Sequence, residues 1–306
     1  MRRLRTLSIT LFIASLILFG INYYWKSVYE DKTGPIFQIE NNLVQVSVKD
    51  DEKALLNGLT ATDASDGDVT DSVIVESISP FTGTGRRIVN YAAFDSDNHV
   101  THAKRELVYT DYRASQFHLS KPLSFAMNST NLLDGITVDD CIDGDLTKSV
   151  KLMSDEEIDT SHVGEYSARL KVTNSAGGVS YLPVTIEIYD ASVQYRRPQL
   201  KLTDNVVYIE EGDSFDEEEY LTSITINGTE YSMTDEEGTY GARYVSQDET
   251  EKTIGYDRVE IESDVDTDVS GYYEVTYSFE DTAEGTGTGH ARLYVVILEG
   301  EHAGNE

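Results

Sequence analysis

Hydrophobic and polar positions follow two different patterns along this chain. From Leu7 to Trp25 there is no charged residue, and Leu11, Phe12, Ile13, Leu16, Ile17, Leu18, Phe19 and Ile21 make the run strongly apolar. That length is close to the ~20 residues a helix needs to cross a hydrocarbon core. Beyond Pro35 the period falls to two. Tyr166-Ser-Ala168-Arg-Leu170-Lys-Val172 and Tyr273-Glu-Val275-Thr-Tyr277-Ser-Phe279 alternate apolar with polar residues. Such alternation predicts strands with one face in a core and one in water. Turn residues follow, as in Asp95-Ser-Asp97-Asn98 and Asn174-Ser-Ala-Gly177-Gly178. Short strands with frequent turns and no long helical period predict an all-β chain of sandwiches behind one N-terminal helix.

The strands recur as repeats. Asp63-Ala-Ser-Asp66-Gly67-Asp68-Val69-Thr70-Asp71-Ser72-Val73 returns 77 residues later as Asp140-Cys-Ile-Asp143-Gly144-Asp145-Leu146-Thr147-Lys148-Ser149-Val150. A second element begins at Gly85, Gly164 and Gly271, with Arg87 in the first copy where the others have Tyr166 and Tyr273. These marks divide the chain into a cytoplasmic N-terminus at 1–6, a membrane span at 7–25 and a linker at 26–34. Repeats at 35–110, 111–190 and 191–298 follow, then a disordered tail at 299–306. The third repeat lacks the Asp-Gly-Asp element. It carries roughly 28 extra residues, expected around 227–262.

The pattern D-x-x-D-G-D-[VL]-T followed by G-x-Y-x-V-x-Y-x-V-x-D resembles the bacterial Ig-like repeats of Gram-positive surface proteins. Similar modules occur in some pesticidal crystal proteins. The resemblance covers roughly residues 35–190, with the start and last two strands of the third repeat. It implies tandem Ig-like β-sandwiches. It says little about function, because such modules serve as spacers, adhesive tips and sugar-binding appendages.

Charge narrows the setting. The chain has 55 acidic and 24 basic residues, and Arg2, Arg3, Arg5 and Lys26 precede the first acid. The arginines predict a cytoplasmic N-terminus and an extracellular remainder, held in the lipid bilayer by the helix. A cleaved signal peptide would show a shorter apolar core and small residues before a cut. The run closes instead on Tyr23, Tyr24 and Trp25, which favours an uncleaved anchor. The acidic remainder repels nucleic acid. It suits a cationic partner or a divalent metal. Cys141 is the lone cysteine, so no intrachain disulfide forms; it reads as a small half-buried hydrophobe.

Two groups of residues are candidates for binding. Asp63, Asp66 and Asp68, with Asp140, Asp143 and Asp145 in the second copy, offer the hard oxygen ligands that Ca²⁺ takes, and Asp95 and Asp97 could join the first set. The spacing is not that of an EF-hand, and the competing reading is a turn made by Asp-Gly with the other aspartates capping it. Tyr231, Tyr240, Tyr244 and Tyr256 fall in the extra segment of the third repeat, where exposed rings would stack on a sugar or a protein. No nucleophile elbow occurs. Ser214 and the Asp159-Thr-Ser-His162 stretch lie in different repeats and do not make a catalytic set. The expectation is a non-catalytic surface protein. Its modules, three in line, would reach roughly 100 Å and present an adhesive or glycan-binding tip. The alternative is a structural or accessory subunit of a cell-envelope complex that binds a partner protein.

Overall fold

A computed structural model describes residues 2–29, 32–82, 85–194, 197–234, 243–246, 254–281 and 287–299. The chain divides into two compact units, residues 1–112 and 113–306.

The first unit opens with helix α1 (Arg2–Tyr29). Its segment Arg5–Trp25 is long and apolar enough to cross a membrane. A sandwich follows, made of β1 (Ile36–Ile39), β2 (Leu43–Val46), β3 (Leu59–Asp63), β4 (Gly67–Asp68), β5 (Ile74–Ile78), β6 (Arg86–Phe94) and β7 (Val100–Tyr109). One sheet runs β1-β3-β4 and the other β2-β7-β6-β5. The first strand is therefore split. β1 pairs antiparallel with β3, and β2 crosses to pair parallel with β7. The predicted alternation sends Val89, Tyr91, Ala93 and Leu107 inward, all fully buried. Each buried aliphatic or aromatic side chain contributes roughly 1.5–3 kcal/mol relative to an exposed one. The Tyr91 hydroxyl donates to the Leu55 carbonyl at 2.9 Å, so the ring's polar end is satisfied inside the core.

The second unit begins with the same plan. β8 (Gln116–Leu119), β10 (Ile136–Asp140) and β11 (Gly144–Asp145) form one sheet. β9 (Ser124–Ala126), β12 (Lys151–Met153), β13 (Gly164–Thr173) and β14 (Val179–Tyr189) form the other, in the order β12-β13-β14-β9. After the short helix α2 (Ala191–Gln194), the third repeat comprises β15 (Gln199–Leu202), β16 (Val206–Glu210), β17 (Leu221–Ile226), β18 (Thr229–Thr234) and β19 (Arg243–Ser246). It continues with β20 (Ile254–Gly255), β21 (Val259–Glu262), β22 (Gly271–Glu280) and β23 (Thr288–Leu298).

The extra segment of the third repeat is architectural where it is described. Asn227 and Gly228 both take positive φ, 49° and 83°, and close a two-residue hairpin between β17 and β18. The sheet then runs β15-β17-β18-β19-β20, in place of the three-stranded sheet of the other repeats. The other sheet is β16-β23-β22-β21.

The second and third repeats are not independent beads on a line. Tyr294 and Val296 of β23 are buried in the core of the second repeat, with Val206, Tyr208 and Leu298 packed against it. Part of the third repeat's outer sheet face is thus covered by the second repeat. This departs from the expected end-to-end row, and the cause is visible in β23. Leu293, Tyr294, Val295, Val296 and Ile297 are all buried, so both faces of that stretch are covered.

Candidate functional site

The duplicated Asp-Gly-Asp loops are built identically in their backbone contacts. Asp63 Oδ1 accepts from the amides of Ser65 and Asp66 at 2.8 and 3.1 Å. Asp140 Oδ1 accepts from Ile142 and Asp143 at 2.8 and 2.9 Å. Asp68 Oδ1 accepts from the Thr70 amide and Asp145 Oδ1 from the Thr147 amide, both at 2.9 Å. The Thr70 and Thr147 side chains, and then their amides, hold Asp68 and Asp145 below the usual carboxylate range. Asp66 reaches across the sandwich end to the Ser96 amide and hydroxyl, at 2.7 and 2.9 Å. Asp143 makes the same link to Ser175. Gly67 and Gly144 sit at φ 76° and 71°, which a glycine adopts without strain.

Each aspartate therefore serves a turn amide or a neighbouring loop. Among the described residues, no three His, Cys, Asp or Glu side chains gather where they could hold a metal ion. The three aspartates of each loop lie at the end of their own sandwich, and most of their oxygens are taken by separate amide and hydroxyl donors.

The tyrosines of the extra segment divide. Tyr231 and Tyr256 are half-buried and packed on the third repeat's core, contrary to the expected exposure. Tyr231 lies on β18, which extends the inner sheet, and Tyr256 opens the turn between β20 and β21; both rings pack on the core. The Tyr256 hydroxyl is buried with no hydrogen-bond partner among the described residues. Burial pushes it up to about 12, with the carboxylates of Glu218, Asp216 and Glu217 adding to the effect. Tyr244 belongs to β19, where its backbone pairs with Met233 and Ile254, but its side chain lies outside the described residues, as does all of Tyr240.

Two other rejected or minor features find structural roles. Asp159, Ser161 and His162 do cluster, but one ring nitrogen, His162 Nδ1, faces both Ser161 Oγ at 3.0 Å and Asp159 Oδ2 at 2.7 Å. A relay needs two different nitrogens, so this is a capped turn. Its hydrogen bonds, led by the Ser161 side chain, take Asp159 down to about 2. Cys141 Sγ donates to the Arg113 carbonyl at 3.0 Å and accepts from its amide at 3.4 Å.

The contact between the second and third repeats uses tyrosines that the periodic pattern did not single out. The Tyr208 hydroxyl accepts from the Phe117 amide at 2.6 Å and donates to its carbonyl at 3.3 Å. The Tyr294 hydroxyl does the same for Thr185, at 3.0 and 3.1 Å. Phe117 lies on the edge strand β8. Thr185 lies on β14 just before β9 begins to pair, where Pro183 is also tolerated. Both tyrosines thus satisfy backbone groups on free sheet edges of the second repeat.

The rest of the third repeat's outer sheet face stays open. Alternation puts Tyr272, Glu274, Thr276, Ser278 and Glu280 of β22 on this face, opposite Thr276↔Arg292, Ser278↔His290 and Glu280↔Thr288 of β23. With Glu260 and Glu262 of β21, Asp257, Arg258 and Glu165, most of these residues line a groove of ≈ 960 Å³. Arg292 sits between Glu274, at 3.0 Å, and Glu165 of the second repeat. The groove continues past Glu262 and Glu274 to Asp264 and Tyr272. Tyr272 is 51% exposed, an uncommon state for a large ring. It stands at the polar position after Gly271, where the other repeats have Arg86 and Glu165. That break in the pattern is the signal in the sequence that marks it.

Fold and groove define a class: a chain of β-sandwich modules behind an apolar helix, with the last two modules joined in one body. No protein-family model matches the chain. Over 153 residues it is 29% identical to the pesticidal crystal protein Cry22Aa of Bacillus thuringiensis, a match covering 48% of this chain and 21% of that one. Over 140 residues it is 24% identical to an 81.3 kDa protein of Acholeplasma phage L2, covering 45% and 18%. The matches span about a fifth of the length of these curated relatives. Among solved structures, it is similar to the M60 catalytic domain with the CBM51-1 and CBM51-2 domains of Clostridium perfringens ZmpB, at 11% identity and a TM-score of 0.20, covering 87% of this chain and 31% of that one.

Proposed function

We propose that this chain is a membrane-anchored, non-catalytic surface protein of the bacterial Ig-like repeat type. In this reading α1 spans the bilayer with its arginines in the cytoplasm, and the sandwiches stand outside. The paired second and third repeats form the recognition module, and the first repeat spaces it from the membrane.

The open groove carries this reading. It joins a half-exposed aromatic ring, Tyr272, to a row of carboxylates on a rigid sheet. An aromatic face with acceptor oxygens beside it suits a sugar ring bearing hydroxyls or amines, or a basic segment of a partner protein. The helix, unlike any feature of the sandwiches, matches the needs of a bilayer in length and polarity.

The test is a glycan array and an envelope pull-down with the full chain in detergent. Tyr272→Ala should abolish capture on whichever support gives a signal, with the melting profile unchanged. A fixed membrane partner retained by Tyr272→Ala would favour the accessory-subunit reading. N-terminal sequencing of the cell-derived protein tests the anchor: a new N-terminus near residue 26 or beyond would overturn it.

A further inference from the structure

The two Asp-Gly-Asp loops differ at one place that their shared motif does not show. In the second repeat, Asp140 Oδ2 accepts from the Ser115 hydroxyl at 2.7 Å and from Asn174 Nδ2 at 3.1 Å. Both its oxygens are then satisfied. In the first repeat the residue before the first strand is Pro35, in place of Ser115, and the residue after β6 is Asp95, in place of Asn174. The serine hydroxyl has given way to a proline ring, which carries no donor, and the side-chain amide to a carboxylate. Asp63 Oδ2 is consequently buried without a hydrogen-bond partner. Asp63 is 7% exposed and Asp95 8%.

The backbone contacts establish the equivalence. Asp95 Oδ1 accepts from the His99 amide at 2.7 Å, as Asn174 Oδ1 accepts from Gly178 at 2.7 Å. The remaining oxygen, Asp95 Oδ2, therefore takes the place from which Asn174 Nδ2 reaches Asp140. It also meets His99 Nδ1 at 2.6 Å. By that equivalence the Asp95 carboxylate stands opposite Asp63 Oδ2, with the His99 ring on Asp95. Even with a protonated His99 beside them, two ionised carboxylates would leave a net negative charge, which is costly where water is nearly excluded. Amide donors fix the Oδ1 atom of each.

We propose that Asp63 and Asp95 are the two carboxylate ligands of a cation site in the first repeat, suited to Ca²⁺, and that the second repeat has replaced this site with Ser115 and Asn174. Ca²⁺ takes six to eight oxygens and accepts water and backbone carbonyls among them. A site with two carboxylates belongs with the weak extracellular ones, at roughly 10⁻⁴–10⁻³ M. The other five aspartates of the duplicated motif keep their turn and loop hydrogen bonds.

Hydrogen exchange read by mass spectrometry tests this on the full chain in detergent, at fixed pH and ionic strength, with EDTA or 10 mM CaCl₂ as the only difference. Calcium should slow exchange several-fold in peptides covering 59–68 and 90–100, and leave 136–145 and 170–179 unchanged. Asp95→Asn supplies the donor that the second repeat has. It should slow exchange in EDTA and abolish the calcium response. Asn174→Asp should transfer a calcium response to the second repeat, which keeps the test decisive if Asp95→Asn misfolds. Identical exchange in EDTA and calcium overturns the proposal. So does an equal response in both repeats, which is diffuse binding to an acidic surface. Slowing on acidification without any calcium effect overturns it too, since the pair then shares a proton.

Discussion

The Tyr294 hydroxyl holds both backbone polar groups of Thr185, accepting its N–H at 3.0 Å and donating to its carbonyl at 3.1 Å. Residues 109 apart in sequence are thereby joined across two repeats. The ring is buried in the core of the second repeat. Tyr294→Phe keeps the packing and removes the bond, leaving two half-buried backbone groups without this partner. Each hydrogen bond lost there costs about 0.5–1.5 kcal/mol. The second and third repeats should lose stability by that order, with the first repeat unaffected, as differential scanning calorimetry would show. The same residue sets an alkaline limit. Burial raises the Tyr294 hydroxyl above the tyrosine range, with the Glu274 carboxylate adding to it. A raised folded-state value means its contribution is present below about pH 10, the unfolded value, and is lost as pH climbs beyond it. Tyr294→Phe should flatten that alkaline decline.

Arg105 performs in the first repeat what Tyr294 does for the second, from within the same module. The residue is 5% exposed, and its guanidinium donates to the carbonyls of Asn41 and Asn57, each at 2.7 Å, and of Leu43 at 3.4 Å. Arg105→Met retains most of the stem and strands three carbonyls. The first repeat should be destabilised by about 3–5 kcal/mol, measured as earlier exchange and melting of residues 35–110 alone. A loss below about 1 kcal/mol would mean that water replaces the guanidinium at no cost.

The alternating strands and the Asp-Gly-Asp turns were legible in the sequence because each rests on local rules: period two, and a glycine at positive φ. The joining of the second and third repeats rests on contacts between distant strands, yet a trace of it was present. Leu293-Tyr-Val-Val-Ile297 lacks polar alternation, and a strand apolar on both sides is covered on both sides. The hairpin in the extra segment was also marked, by Asn227-Gly228 between two alternating stretches. Counting it as an insertion hid the fact that its tyrosines would extend a sheet over a core. Tyr272 could be found only by noticing an aromatic ring at an outward position. The unmatched Asp63 oxygen could not be found at all without structure, because the donors that serve its counterpart Asp140 come from Ser115 and Asn174, distant in sequence.

Acid should weaken the second repeat at a definite residue. Burial of Asp140 works against its charge, but hydrogen bonds from Ser115, Asp143, Ile142 and Asn174 outweigh it and hold the carboxylate below its usual value. A depressed folded-state value means the contribution is present above the unfolded pKa, near 3.9, and is lost as pH falls through the lower folded one. Asp140→Asn should lower the melting temperature at pH 7 and leave it nearly unchanged at pH 2. Equal loss at both pH values would show that shape, not charge, is what Asp140 provides.

Gly289 offers the sharpest steric test of the third repeat. It lies in β23 opposite Phe279, where β15 passes close by. A β-carbon there would stand 2.0 Å from the Pro198 carbonyl oxygen, 2.8 Å from its carbon and 2.9 Å from Leu200 Cδ1. The first two are backbone atoms and cannot swing aside as a side-chain tip would. β15 would have to move, drawing Leu200 and Leu202 from the core they share with Leu221 and Ile224. Gly289→Ala should therefore cost about 1–3 kcal/mol or more. Gly164→Ala is the control: its β-carbon would meet only the Tyr166 ring, at 3.6 Å or beyond, which is ordinary contact. Urea unfolding of the two variants should separate them clearly. Similar midpoints would mean that β15 yields freely, and that the third repeat's inner sheet is held by its other strands.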